Sequence, residues 1–213
     1  MRKLPVLFAA AAAVAFSAAP AEALVTVSFN GGSGVFGPGT SIFQNYDALA
    51  AGSSIGPNAR VFASSLTDLA ARPNFGSTGN FGAVLANGSY TVNFAPTTLL
   101  AFVLGSLDTY NRLTLLFEDG TSQLYAGGQI INDLSFPSGD QISGETNGVV
   151  SFRVASGPRI VGATFASTGN SFEFDNLAVA AVPEPATWAA MLGGFGLIGF
   201  VARKRWRPAR LSA

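Results

Sequence analysis

Residues 81–106 read FGAVLANGSYTVNFAPTTLLAFVLGS, and this stretch decides the fold. Phe81 to Ala86 and Ser89 to Ala95 are β-rich segments on either side of Asn87-Gly88. Both turn residues tolerate positive φ, so the four parts read as a tight two-residue hairpin. A nearly unbroken apolar run follows from Thr98 to Ser106, with Leu99, Leu100, Ala101, Phe102, Val103 and Leu104 in succession. Its length suits a strand covered on both faces, although period alone also fits a short helix.

Working outward, the same grammar repeats. Arg112 to Glu118 and Thr121 to Ala126 flank Asp119-Gly120, a second hairpin, with Leu113, Leu115 and Phe117 on one face of its first strand. Val149 to Ala155, Arg159 to Ala166 and Ser171 to Ala180 are further strands, introduced by Asn147-Gly148, Gly157-Pro158 and Gly169-Asn170. Toward the N-terminus, Leu24 to Phe29 alternates as a first strand and stops at Asn30-Gly31-Gly32. Gly31 to Gly39 reads as a loop, Ser41 to Ala51 as a short helical turn or an irregular crossing, Arg60 to Ser65 as a strand and Leu66 to Ala71 as a short helical turn. Gly127 to Gly144 reads as loop with one short strand near Gln129 to Ile131. Short strands at regular intervals with Gly and Asn turns predict an all-β protein, a single β-sandwich of jelly-roll type. No repeat of solenoid or propeller length appears.

Composition narrows the chemistry. The chain has no cysteine and no histidine. A disulfide framework, a Ser-His-Asp or Cys-His triad and a zinc site with nitrogen or sulfur ligands are therefore excluded. Between residues 24 and 182, five arginines (Arg60, Arg72, Arg112, Arg153 and Arg159) face ten carboxylates with no lysine, a net charge near −5. Such a surface repels phosphate backbones and anionic membranes, so nucleic acid is not an expected partner. Eighteen Phe against four Tyr and two Trp is a core composition.

Candidate sites are few. Glu118, Glu145 and Glu173, with Asp108 and Asp140, are the acids from which a glycoside-hydrolysing pair would have to come. Glu118 beside Asp119-Gly120 reads more simply as a hairpin end and Glu145 as loop, so no catalytic residue is assigned and no enzyme is expected. Asp175 with Asn176 offers oxygen donors for a calcium ion, against the plainer reading of a turn aspartate bonding its own backbone. Tyr110, flanked by Asp108-Thr109 and Asn111-Arg112, is the aromatic best surrounded for a ligand contact.

The two ends of the chain carry addresses. Arg2 and Lys3 precede an apolar stretch from Leu4 to about Ala19, and Ala21-Glu22-Ala23 supplies the small residues a signal peptidase reads. Residues 1–23 are thus expected to be a secretory signal peptide cut after Ala23, with Ala19-Pro20-Ala21 as a second site. Residues 24–181 form the exported domain. Residues 182–213 hold Pro183-Glu184-Pro185, then Trp188, an uncharged run from Ala186 to Ala202, and a basic tail over 203–210 containing Arg203, Lys204, Arg205 and Arg207. Seventeen uncharged residues lie at the short end of a transmembrane helix, roughly 17–25 residues. The cations behind them are expected to remain cytoplasmic as a membrane stop.

This order of proline motif, Gly-rich span and Arg cluster resembles the PEP-CTERM sorting signal, in the variant with Trp188 three residues after the second proline. The resemblance implies an exosortase-type membrane enzyme of Gram-negative bacteria as processing partner, reading Pro183, Glu184, Pro185 and Trp188. It further implies a precursor in the inner membrane facing the periplasm, and a mature form at the cell surface or secreted. Exopolysaccharide or other matrix components are the expected partners of a structural or adhesive β domain, in the setting of a biofilm. Two stretches, Gly105 to Leu113 and Ser171 to Val179, more loosely resemble ectodomains that accompany this signal. The second is also similar to the closing strand of jelly-roll carbohydrate-binding modules, which makes a calcium-dependent module of that kind the alternative function. A glycan-acting enzyme using paired carboxylates is the remaining one.

Overall fold

The structure, a computed structural model, describes residues 22–180. The expected transmembrane run, the Pro-Glu-Pro motif, the basic tail and all but the last two residues of the expected signal peptide lie outside the described residues. Among the described residues no helix is long and apolar enough to cross a membrane.

The strand read most directly from sequence is the pivot. β7 (Leu99–Gly105) is buried along its whole length, which settles the helix alternative, and such a strand must sit inside a sheet with both faces covered. It lies between β10 (Gly148–Ser156) and β12 (Phe172–Ala180), antiparallel to both. β1 (Leu24–Gly31) extends the sheet beyond β10. On its other side β12 is shared. Phe172 to Phe174 pair with β5 (Phe81–Val84), and Leu177 to Ala180 pair with β2 (Thr40–Gln44). β4 (Ala59–Phe62) and β3 (Ser54–Gly56) complete the sheet beyond β5.

The second sheet has four antiparallel strands in the order β6 (Gly88–Thr97), β11 (Ile160–Ser167), β8 (Asn111–Phe117) and β9 (Ser122–Ala126). From β5 onward the chain crosses between sheets at every connection except the β8–β9 hairpin. The strand orders β10-β7-β12-β5 and β6-β11-β8-β9 are the double Greek-key winding of a jelly roll. Among the described residues, all strands of both sheets fall within residues 24–180.

Between the sheets lies an aromatic core. Phe165 of β11 stands 4.3 Å from Phe174 and 5.4 Å from Phe172, and meets Phe102 edge-on at 5.0 Å. Tilted and edge-to-face rings at such separations add about 0.5–1.5 kcal/mol per pair to the burial itself. Leu113, Leu115 and Phe117 face this core as their alternation predicts. On the outer face of the larger sheet a smaller apolar cluster, Phe62, Ala70, Phe81, Ala83 and Leu85, lies where the 63–71 segment folds back.

Four local expectations are corrected. Asn87-Gly88 is not a hairpin, because β5 and β6 belong to different sheets. All four β5 residues are buried and require strands on both sides, whereas β6 alternates and serves as an edge. Only Asn87 takes positive φ, at 59°. The turn is docked on Pro57 and Asn58, whose carbonyls accept from the N–H groups of Ser89 and Leu85. The Ser41 to Ala51 stretch begins as β2, held by the free half of β12. Leu66 to Ala71 is a tight turn closed by a Leu66–Ala70 bridge, with Asp68 at φ 60°. Gln129 to Ile131 opens in a 3-10 helix, Gly127–Ile130, after Gly127 takes φ 50°. Asp119-Gly120 does form the expected hairpin: Gly120 at φ 83° donates to the Phe117 carbonyl, and Asp119 Oδ1 accepts from Thr121 N and Oγ1.

Candidate functional site

At one end of the sandwich the β7–β8 connection, the residues leading into β12 and the 65–71 loop surround a polar cavity of about 520 Å³. Glu173 forms its floor. Its neighbours across the sheet are Gly105 and Ala83, two small residues that leave room for a carboxyl group. Glu173 Oε1 accepts from Ala71 N at 2.9 Å and from Ser171 Oγ, and Oε2 accepts from Ser106 Oγ at 3.0 Å. The side chain is only 2% exposed. Burial disfavours the charged form and pushes its pKa up to about 7, against the pull of those donors.

Asp108 and Tyr110 line the same cavity. Asp108 is positioned by Asn111, whose Oδ1 accepts from Asp108 N at 2.7 Å, while Ser138 Oγ donates to Asp108 Oδ1. Burial raises the Asp108 carboxyl, and the Tyr110 and Ser138 hydroxyls oppose the shift. Tyr110 lays its ring against Gly169, where an added Cβ would come within 3.0 Å of ring carbons. Its hydroxyl donates to the carbonyl oxygen of Asn170. Burial and then the neighbouring Asp108 carboxyl hold that phenol well above its usual range. Asn170 in turn ties two elements together, accepting from Ala86 N at 2.8 Å and donating to the Asp68 carbonyl at 3.3 Å.

The rim is braced by Asn147, which is fully buried. Its Oδ1 accepts from Ser106 N and Asn74 N, and its Nδ2 donates to the carbonyls of Asp140 and Ser143. A second close contact holds the adjoining loops: a Cβ on Gly34 would come within 2.2 Å of Gly76 Cα.

Of the acids singled out in sequence, the structure brings Asp108 and Glu173 to one cavity and leaves Glu118 at the other end of the sandwich. Glu118 pairs there with Arg159 at 2.8 Å across an exposed turn. Glu145 lies in the exposed loop after Ser143, and Asp140 Oδ1 caps the N–H groups of Ile142 and Ser143. Asp175 is buried two residues beyond Glu173. Its Oδ2 accepts from Ser77 Oγ and its Oδ1 from Asn176 N, both at 2.7 Å. Burial raises its pKa to about 6, opposed by those two donors and by Arg72. Arg72 lies 5.0 Å over the Phe81 ring. Among the described residues no group of three or more acidic side chains converges as a metal cage. Sequence reasoning found Tyr110, Asp108 and Glu173 but missed Ser106, Asn147, Asn170 and the 65–71 loop, which act through contacts distant in sequence.

The sorting residues Pro183, Glu184, Pro185 and Trp188 and the basic cluster Arg203, Lys204, Arg205 and Arg207 fall outside the described residues. In sequence, Pro183 comes three residues after Ala180, the last residue of β12. No curated protein and no solved structure matches this chain. A family model does match, the PEP-CTERM protein-sorting motif, over residues 181–205. The chain therefore carries a PEP-CTERM sorting signal, the mark of an exported protein that an exosortase sorts.

Proposed function

We propose that this protein is a surface or matrix protein whose jelly-roll domain acts by adhesion and bulk within exopolysaccharide, not by catalytic turnover. In this reading residues 1–23 direct export and 186–202 arrest the precursor in the inner membrane with its basic tail in the cytoplasm. The exosortase then reads Pro183 to Pro185 and delivers the domain to the surface or medium of a Gram-negative cell. The observation that carries the reading is the junction between fold and signal. The sorting motif follows the last hydrogen-bonded residue of a central strand after only two residues, so the unit delivered is a finished, rigid sandwich. Its support also includes the lack of histidine, cysteine and lysine in the domain, which leaves an acidic, chemically quiet surface. For the calcium-dependent alternative, both Asp175 carboxylate oxygens already accept protein hydrogen bonds.

The test is made in the native host. Pro183→Ala with Pro185→Ala is expected to leave full-length precursor in the inner membrane and deplete the form that co-purifies with exopolysaccharide. Unchanged processing in the double variant would refute the sorting step. A correctly sorted wild-type protein that washes away from the polysaccharide fraction would refute the matrix role.

A further inference from the structure

We propose that the polar cavity above Glu173 is a binding site for a neutral sugar, held through its hydroxyl groups. The inference deepens the matrix reading and takes from it only the source of the ligand; the geometry stands separately. At about 520 Å³ the cavity falls within the roughly 300–1,000 Å³ of small-molecule sites. Its lining residues include three acids (Asp68, Asp108 and Glu173), two amides (Gln141 and Asn170) and Tyr110, and no lysine or arginine. An anionic ligand, whether phosphate or uronic acid, would find no cationic side chain to pair with there. Sugar hydroxyls each donate one hydrogen bond and accept others, which matches a wall rich in carboxyl and amide acceptors.

The wall is also set in advance. Asn170 is fixed from both sides by Ala86 and Asp68, Tyr110 is fixed on Asn170, and Asp108 is fixed by Asn111 and Ser138. Little ordering is left for the ligand to impose, which favours a weakly held hydroxylated molecule. A metal ion is disfavoured because, among the described residues, no three acidic side chains converge as a cage. Burial that raises both Asp108 and Glu173 further favours uncharged hydroxyl donors over a cation.

The experiment uses the exported domain, residues 24–182, which contains both sheets. Glucose, galactose, mannose, rhamnose and their common disaccharides are titrated by ligand-observed NMR and calorimetry, beside glucuronate, calcium chloride and putrescine. Saturable binding of at least one neutral sugar is expected, with none of glucuronate. Asp108→Asn and, separately, Gln141→Ala should each weaken it about tenfold, the loss of one hydrogen bond to a charged or polar group. Gln141 is exposed and its side chain makes no hydrogen bond among the described residues, so its variant keeps the test valid if Asp108→Asn disturbs the loop. Binding by neither sugar class, affinity unchanged in both variants, or binding of calcium or putrescine in place of sugars would each overturn the proposal. Matrix retention without sugar binding would sink the cavity site alone. Sugar binding without matrix retention would sink the matrix role alone.

Discussion

Replacing Glu173 by glutamine is expected to stabilise the domain at alkaline pH and to change little under acid. The carboxyl has an ordinary pKa of 4.5 and stands at about 7 in the fold. Between those values the folded protein holds a proton that the unfolded chain has released, so stability falls as pH rises across this window. A gap of that size at 1.36 kcal/mol per unit amounts to about 3 kcal/mol, lost in full above pH 7. Glutamine removes the charge and keeps the shape: its carbonyl still accepts from Ala71 N and Ser171 Oγ, and the Ser106 hydroxyl rotates to accept from the new amide. Asp175, raised to about 6, titrates alike in both proteins and cancels in the difference. Thermal and urea unfolding of wild type and Glu173→Gln at pH 5 and pH 8 would measure it. At pH 5 the two should agree within about 1 kcal/mol. At pH 8 the variant should be ahead by about 3 kcal/mol, or roughly 6–12 °C for a domain of this size. A wild-type profile flat from pH 5 to 8, or a variant weaker at pH 8, would refute the view of Glu173 as a buried acid whose charge is costly.

Asn147→Ala should destabilise the domain by about 3 kcal/mol, since the buried Ser106 N–H and the Asn74 N–H both lose their acceptor. An unfolding midpoint like wild type in urea would show that water replaces the amide. Gly76→Ala should cost about 3 kcal/mol as well, because the residue sits at φ 74° and its Cβ would stand 2.4 Å from Gly34 Cα. Limited proteolysis should then cut within 31–39 or 72–79 before the sandwich opens; cleavage elsewhere first would contradict that contact as the clamp.

Much of this fold is legible because its decisive strands carry unambiguous patterns. The β7 run has no polar residue to face solvent, and the β8–β9 alternation together with Asp119-Gly120 leaves one register. The misreading of Asn87-Gly88 has a physical cause. The dipeptide reverses the chain, but where the two arms then pair is decided by which of them needs burial, and that depends on β12, some ninety residues away. Within the 41–51 stretch only residues 41–44 depart from an irregular crossing, since β2 is a strand only because half of β12 is free to hold it. For the site, Tyr110 and Asp108 stood out by their local company. Asn147 and Asn170 did not, because the Asn147 amide oxygen and the Asn170 side chain meet partners 41 to 102 residues away and a lone asparagine beside glycine looks like any turn.

β12 also has a mechanical meaning. Its first residues form the cavity floor, and its last residue lies three positions before the sorting motif. A load applied between a molecule held at the cavity and the C-terminal end would run along this one strand, about 30 Å at the usual rise. β12 is bonded to β7 on one side and to β5 and β2 on the other. Antiparallel ladder bonds lie perpendicular to the strand. Tension would therefore shear them together, as in a lap joint, instead of peeling them one after another.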